Sequence, residues 1–266
     1  MNPSSPAPSP TPLWDALRRA REQLLDAIFP PRCAGCGCFT ADLFCADCAS
    51  QLQPIAPPLC FICGAPFDVL AKGVEICADC RANRYQQAPP FAALRSAYRF
   101  DGPMRKAAHR FKYRGKTSLA APLAALLEEC LKNQDALDAP VIPWEELKLI
   151  VPVPLSRWRN YRRGYNQSAL LARELAQHLD VPFEELLKRA RHTPPQVGLS
   201  PRERAENVRG AFALNALLNE SQKSSPILLV DDVYTTGATI RECAQVLRKN
   251  GATTVYALTL ARPWFK

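Results

Sequence analysis

Nowhere in these 266 residues do eighteen apolar side chains follow one another, so no segment is expected to span a membrane. The first twelve residues, MNPSSPAPSPTP, lack the apolar stretch of a secretory signal, and their proline and serine content describes a disordered tail. Both absences point to a protein that stays in the cytoplasm. A positive surplus is missing from residues 1–90, which carry seven Lys/Arg against eight Asp/Glu. The remainder carries 27 against 17, so the net charge of +9 arises entirely downstream, in runs over residues 95–116 and 157–209. An uneven excess of this kind favours phosphate-rich partners over general solvation. With 22% charged and 47% hydrophobic residues, most of the chain can fold, as one sizeable core plus an appendage or as about two domains.

Eleven cysteines would suit a disulfide scaffold, but their spacing does not. Eight form four C-x-x-C pairs: Cys33/Cys36, Cys45/Cys48, Cys60/Cys63 and Cys77/Cys80. Gly37 and Gly64 follow two of the pairs, as the tight turn of a zinc knuckle requires. A redox pair would stand alone at the start of a helix. Here the pairs recur in a segment too small for a good core, and metal binding supplies folding free energy. Two structural Zn²⁺ sites are expected, Cys33, Cys36, Cys45 and Cys48 on one ion and Cys60, Cys63, Cys77 and Cys80 on the other. A crossed pairing is the alternative, and Cys38 competes as a ligand in the first site. Four thiolates leave no open position for catalysis. Cys130 and Cys243 fall on helical faces and read as packed thiols.

The most informative stretch is ILLVDDVYTTGATI, residues 227–240. An apolar run of the buried-strand type ends in Asp231 and Asp232. Thr235, Thr236 and Thr239 surround Gly237, and a helical pattern begins at Ile240. Ligands of open parallel sheets bind beyond the carboxyl ends of strands, where a helix N-terminus presents unpaired N–H groups to an anion. Acids that accept hydrogen bonds from vicinal hydroxyls, next to a hydroxyl-rich turn, make a cup for a sugar phosphate.

Between cysteines and cup, residues 14–28 show helical spacing ended by Pro30-Pro31; docking onto the main domain is the expected role. Residues 94–100 alternate like a strand, and a short helix follows, with Met104, Ala107, Ala108 and Phe111 as its apolar stripe. Arg105, Lys106, Arg110, Lys112, Arg114 and Lys116 crowd around it, with His109 and Tyr113 interleaved. Cations among aromatic rings suit single-stranded nucleic acid; a solvated basic helix that steers an anionic substrate is the other reading. Residues 119–131 read as an apolar helix and residues 149–153 as a second buried strand. Arg157, Arg159, Arg162 and Arg163, with Trp158, Tyr161 and Tyr165, form a second basic aromatic run. A helix capped by Asn166 follows. Residues 188–212 are basic and rich in breakers, a connection long enough to be functional or mobile.

The order of strand, acid pair, hydroxyl turn and helix resembles the signature of type I phosphoribosyltransferases. The resemblance implies an α/β type I phosphoribosyltransferase fold, a Rossmann-like parallel sheet flanked by helices. Asp231 and Asp232 would hold the ribose hydroxyls of phosphoribosyl pyrophosphate (PRPP). Tyr234, Thr235, Thr236, Gly237, Ala238 and Thr239 would grip its 5-phosphate. Pro154, Leu155 and Arg157, after the first core strand, fall where that family binds pyrophosphate. Arg189, Gln196, Arg202 and Arg204 fall in its flexible closing loop. Mg²⁺ would accompany PRPP, held mainly by pyrophosphate, ribose hydroxyls and water.

Taken with the cysteine knuckles, YRFDGPMRKAAHRFKYRG, VPVPL, RRGYNQ, TPPQVGLSPRER and NVRGAF stand in one order over residues 30–262, and the chain resembles the ComF family. That implies a disordered tail over residues 1–12, a helix over 13–29, a double zinc ribbon over 30–85 and a phosphoribosyltransferase-like domain over 90–266. Members are associated with natural competence, acting on the incoming single strand at the cytoplasmic face. The resemblance implies PRPP binding and a single-stranded DNA surface at Arg105, Lys106, Arg110, Lys112, Tyr113, Arg114, Arg162 and Arg163. A DNA-uptake helicase or a recombination mediator is the implied partner. A salvage phosphoribosyltransferase with an unidentified acceptor, and a regulator that keeps the fold without turnover, are the alternatives.

Overall fold

The structure, a computed structural model, describes residues 30–67, 76–81, 89–134, 142–191, 193 and 200–264. The expected tail, the helix over residues 13–29 and Gln196 lie outside them, and only the backbone of Arg157 is described.

Four strands form one parallel sheet: β1 (Ala93–Arg99), β2 (Leu149–Pro152), β5 (Pro226–Val233) and β6 (Thr254–Arg262). Their order is β1-β6-β5-β2. Strands covered on both faces need apolar side chains pointing both ways, which is why β5 reads as an unbroken run. Leu228 and Val230 enter the core on one face, and Ile227 and Leu229 enter the core on the other. The first face is covered by α3 (Gly102–Tyr113), α4 (Ala120–Lys132) and α6 (Gln167–Leu179). The second is covered by α9 (Ala238–Lys249), α7 (Pro201–Val208) and the antiparallel pair β3 (Leu187–Arg189) and β4 (Phe212–Leu214), and a short α8 (Glu220–Ser224) leads into β5.

The cysteine-rich segment is built into this sheet. Its short helices, α1 (Ala46–Ala49) and α2 (Ala78–Arg81), each carry a cysteine, and its linking residues run antiparallel to β1. Ile55 N–H donates to Ala97 O at 3.0 Å, Arg99 N–H to Gln53 O at 2.8 Å and Leu94 N–H to Ile62 O at 2.7 Å. Those bonds occupy backbone groups that an open edge would leave exposed to another chain. At the far edge, Ile150 N–H donates to Pro182 O at 2.8 Å.

The described part of residues 188–212 holds more regular structure than its breakers imply. Among the described residues they include most of β3 and all of α7. Ser200 Oγ accepts from Glu203 N–H while the Glu203 side chain accepts from Ser200 N–H, a complete capping box at the start of α7. The run after Pro154 is likewise a helix, α5 (Arg157–Arg163), capped by Ser156 Oγ on Arg159 N–H and ended by Gly164 at φ +82°.

Candidate functional site

The carboxyl ends of β2 and β5 open into a cavity of about 590 Å³. Asp231 and Asp232 end the apolar part of β5. Asp231 Oδ1 accepts from Ser168 Oγ at 2.8 Å and from Asp232 N–H at 2.9 Å. Ser168 reaches it because Asn166 fixes the start of α6. Asn166 Oδ1 caps Ser168 N–H at 3.1 Å, and its Nδ2 donates to Val153 O at 3.1 Å, in the turn after β2. Burial, and then the charge of Asp232, push the Asp231 carboxyl up to about 7, against the pull of Lys112 and Ser168. Asp232 is 3% exposed, and Lys112 Nζ stands 2.7 Å from its Oδ2.

The following turn is shaped by Gly237. Its φ of +76° is a left-handed conformation, and a Cβ there would lie 2.4 Å from Tyr234 Oη. Tyr234 is buried, its ring packed against that glycine, so it forms a wall of the turn. Thr235, Thr236, Ala238 and Thr239 line the cavity, where α9 begins, and a helix N-terminus is a favourable place for an anion. Pro154 and Leu155 line it from the turn after β2.

Cations dominate the rest of the lining: Lys112, Arg159, Arg162, Arg163, Arg189 and Arg204 line the cavity, against Asp231 and Asp232 as the only carboxylates among the described residues. Burial, followed by the charge of Arg159, lowers the Arg189 guanidinium to about 10. Arg189 is held by β3 over the ring of Phe212, 5.2 Å from its centroid, and donates to Thr193 Oγ1. It is therefore a strand residue, whereas the sequence reading put it on a loop. Arg202 points away, exposed and paired with Glu206.

The residues expected to bind nucleic acid separate into two groups. Arg105, Lys106, Tyr113, Arg114 and Arg162 are exposed, while Arg163 is half-buried and donates to Gln167 Oε1. Arg110 and Lys112 turn inward, a correction to the sequence reading. Arg110 Nη1 donates to Cys33 O at 2.6 Å and Ala34 O at 3.0 Å, and Lys112 pairs with Asp232. Tyr113, Trp158 and Tyr161 are 62%, 51% and 89% exposed, unusual for large aromatic side chains. The guanidinium of Arg162 lies 4.8 Å from the Trp158 ring and that of Arg163 lies 5.0 Å from Tyr113.

Nine of the eleven cysteines gather into two clusters. Cys60, Cys63, Cys77 and Cys80 form one, as expected. In the other, the sulfurs within 4.8 Å of one another belong to Cys33, Cys36, Cys38 and Cys45. Cys38 thus stands where Cys48 was expected. Cys48 is buried, and its thiol still interacts with Cys33, Cys36 and Cys45, so five thiols surround this position. A tetrahedral ion with Zn–S bonds of about 2.3 Å spaces its sulfurs about 3.8 Å apart. Cys36 Sγ and Cys45 Sγ are 3.7 Å apart, and Cys63 Sγ and Cys77 Sγ are 3.6 Å apart, so both clusters fit zinc. Burial pushes the Cys130 thiol up to about 12 and raises that of Cys243, consistent with packed thiols.

A parallel sheet whose acid pair and glycine turn share one cavity with six cations, joined to two cysteine clusters, defines a phosphoribosyltransferase-fold protein with a double ribbon. Family models agree in both parts: residues 24–81 match a double zinc ribbon domain and residues 166–263 a phosphoribosyl transferase domain. The chain belongs to the ComF family of competence proteins. It is 32% identical to Competence protein F of Haemophilus influenzae over 219 residues, 82% of this chain and 90% of that one. It is 31% identical to DNA utilization protein YhgH of Escherichia coli K12 over 231 residues, covering 77% and 97%. Identity to Competence protein ComFC of Bacillus subtilis is 30% over 221 residues, covering 82% and 83%. A solved adenine phosphoribosyl transferase from Trypanosoma brucei is similar at 16% identity and a TM-score of 0.38, over 66% of this chain and 85% of that one.

Two participants escaped the sequence reading. Ser168 carries a legible signal, since the Asn166 cap sets the first turn of the helix that holds it. The pairing of Lys112 with Asp232 carries none, because 120 residues separate them in the chain.

Proposed function

We propose that this chain binds Mg²⁺-phosphoribosyl pyrophosphate in the cavity at the end of β5 and handles single-stranded DNA in the cytoplasm during DNA uptake. The observation that carries the reading is the convergence of Asp231, Asp232, the Gly237 turn and six cations on one cavity. The acids accept hydrogen bonds from ribose hydroxyls, Thr235, Thr236 and Thr239 donate to the 5-phosphate, and Arg159 and Arg189 offset the pyrophosphate charge. Mg²⁺ would be held chiefly by the ligand's own oxygens and water, since the lining offers only two carboxylates. A strand lies across the mouth, its bases stacking on Tyr113, Trp158 and Tyr161 while Arg162, Arg163 and Arg114 meet its phosphates. The double ribbon is read as two structural zinc sites. A DNA-uptake helicase or a recombination mediator is the protein partner this reading supplies.

Pentosyl transfer to an acceptor is the second reading. An Asp231 carboxyl near 7 gives the cup a proton acceptor at neutral pH.

Calorimetric titration of the zinc-loaded chain with PRPP and Mg²⁺ should show saturable binding at one site, lost in Asp231→Asn with Asp232→Asn. No heat at any concentration would remove the sugar-phosphate reading. An oligothymidylate should bind at low salt, with log affinity falling about 0.7 per phosphate contact per unit of log salt. Trp158→Ala with Tyr161→Ala should weaken it by about 1–3 kcal/mol per lost stack. Binding indifferent to both salt and these substitutions would sink the strand surface alone.

A further inference from the structure

In both cysteine turns the backbone N–H groups point at sulfur. Cys36 and Cys45 donate to Cys33 Sγ at 3.4 and 3.3 Å, and Cys77 donates to Cys60 Sγ at 3.4 Å. In the second turn two arginines of the parallel sheet meet the outward carbonyls. Arg262 Nη1 donates to Cys63 O at 2.6 Å, and Arg95 Nη1 donates to Cys60 O and Phe61 O, each at 3.3 Å. Arg95 is 3% exposed, and its Nε and Nη2 are buried without a hydrogen-bond partner among the described residues. A buried guanidinium requires a counter-charge. Four thiolates around one divalent ion leave a charge of −2, which two arginines offset.

Arg262 has a second engagement. Its guanidinium lies 5.0 Å from the ring centroid of Tyr234, and that ring occupies the space a Cβ on Gly237 would need. Gly237 caps α9 in the turn that lines the cavity. An unbroken line of contacts therefore runs from the Cys63 carbonyl through Arg262 and Tyr234 to Gly237.

We propose that Arg262 is a positioning residue through which metal in the second cysteine cluster sets the shape of the phosphate-binding turn, with Arg95 as its fixed counter-charge. Loss of the metal frees the Cys63 carbonyl and removes the negative charge facing Arg262. Tyr234 then loses the cation that pins its ring, and the turn loosens. Coupling of two binding equilibria is reciprocal, so a bound sugar phosphate holds this metal more tightly. The sugar-phosphate half rests on the function proposed above, and the metal half does not.

The test follows zinc release from the full two-zinc chain to a chromogenic chelator, with and without ribose 5-phosphate, in the native protein, Arg262→Met and Arg262→Lys. In the native chain, saturating ribose 5-phosphate should slow release of one of the two ions. Arg262→Met should release that ion about tenfold faster and abolish the slowing. Arg262→Lys should recover retention, because the charge returns. The slowing should stay lost, because an ammonium lacks the planar fork that holds carbonyl and ring together. If calorimetry shows ribose 5-phosphate bound to the native chain and release is unchanged, the coupling is overturned; so it is if either variant keeps the native slowing. A native chain that binds no ribose 5-phosphate overturns the sugar-phosphate reading instead. Release from Arg262→Met then decides the metal half, a native rate overturning it.

Discussion

Asp231 occupies a position that serves a ligand at the expense of the fold. Its carboxyl titrates near 7 in the folded chain and near 3.8 in the unfolded one, because burial and Asp232 both oppose its charge. The unfolded state therefore loses this proton first as pH rises, and stability falls between those two values. Both hydrogen bonds it receives end on Oδ1, which an amide also supplies. Asp231→Asn should accordingly raise the melting temperature at pH 7.5, by at least a few degrees on the roughly 2–4 °C per kcal/mol scale of domains this size. The gain should shrink at pH 5 and vanish below about pH 3, where the acid is protonated in both states. Thermal melts of both proteins across that range provide the check, and a gain that grows towards acid would contradict the assignment. The same substitution should remove PRPP binding, a trade common where an acid is kept buried for a ligand.

At the scale of elements, the cup is a strand end, one turn and two helix starts, and its least tolerant point is Gly237. Alanine there meets a positive φ, worth about 1–3 kcal/mol of strain, and drives a Cβ into Tyr234. Gly237→Ala should weaken ribose 5-phosphate binding by more than tenfold while the zinc content stays at the native value. Equal affinity in the two proteins, by calorimetry, would show that the turn has slack. This element was legible from sequence because every part of it is local: apolar run, acids, glycine and helix stand within fourteen residues. The same holds for the cysteine pairs and for the Asn166 cap. Two further helices carried equally local signals that went unread. Ser200 and Glu203 form a capping box beside Pro201, and Ser156 and Gly164 bracket seven helical residues. Their dense charge masked them, since neither helix has the apolar stripe on which periodicity depends. Contacts that join distant segments stayed invisible for a different reason. Nothing near Lys112 specifies Asp232, and nothing near Arg110 specifies the Cys33 carbonyl; the packing of α3 between the first ribbon and the cavity decides both.

The whole molecule reads differently from two domains in series. Gln53, Ile55 and Ile62 of the cysteine-rich segment hydrogen-bond to β1, and Cys33, Ala34, Phe44 and Cys48 belong to the same apolar cluster as Met104, Ala107 and Phe111 of α3. The ribbons therefore complete the sheet's edge and one face of its core. A structural zinc site contributes about 10 kcal/mol or more to folding in isolated ribbons, comparable with the whole stability of an ordinary domain. In most two-domain chains that energy would stay in the small domain, and the large one would melt at its own temperature after chelation. Here metal removal exposes the backbone of β1 and unseats α3, so both parts should respond. Stripping the chain with excess chelator should lower the melting temperature of the entire α/β domain, in one transition, and should raise light scattering as free β1 edges pair between molecules. Adding zinc back before scattering develops should restore the native melt. If the stripped chain instead keeps an unshifted α/β transition and stays clear, the ribbons are an appendage and the edge bonds contribute little.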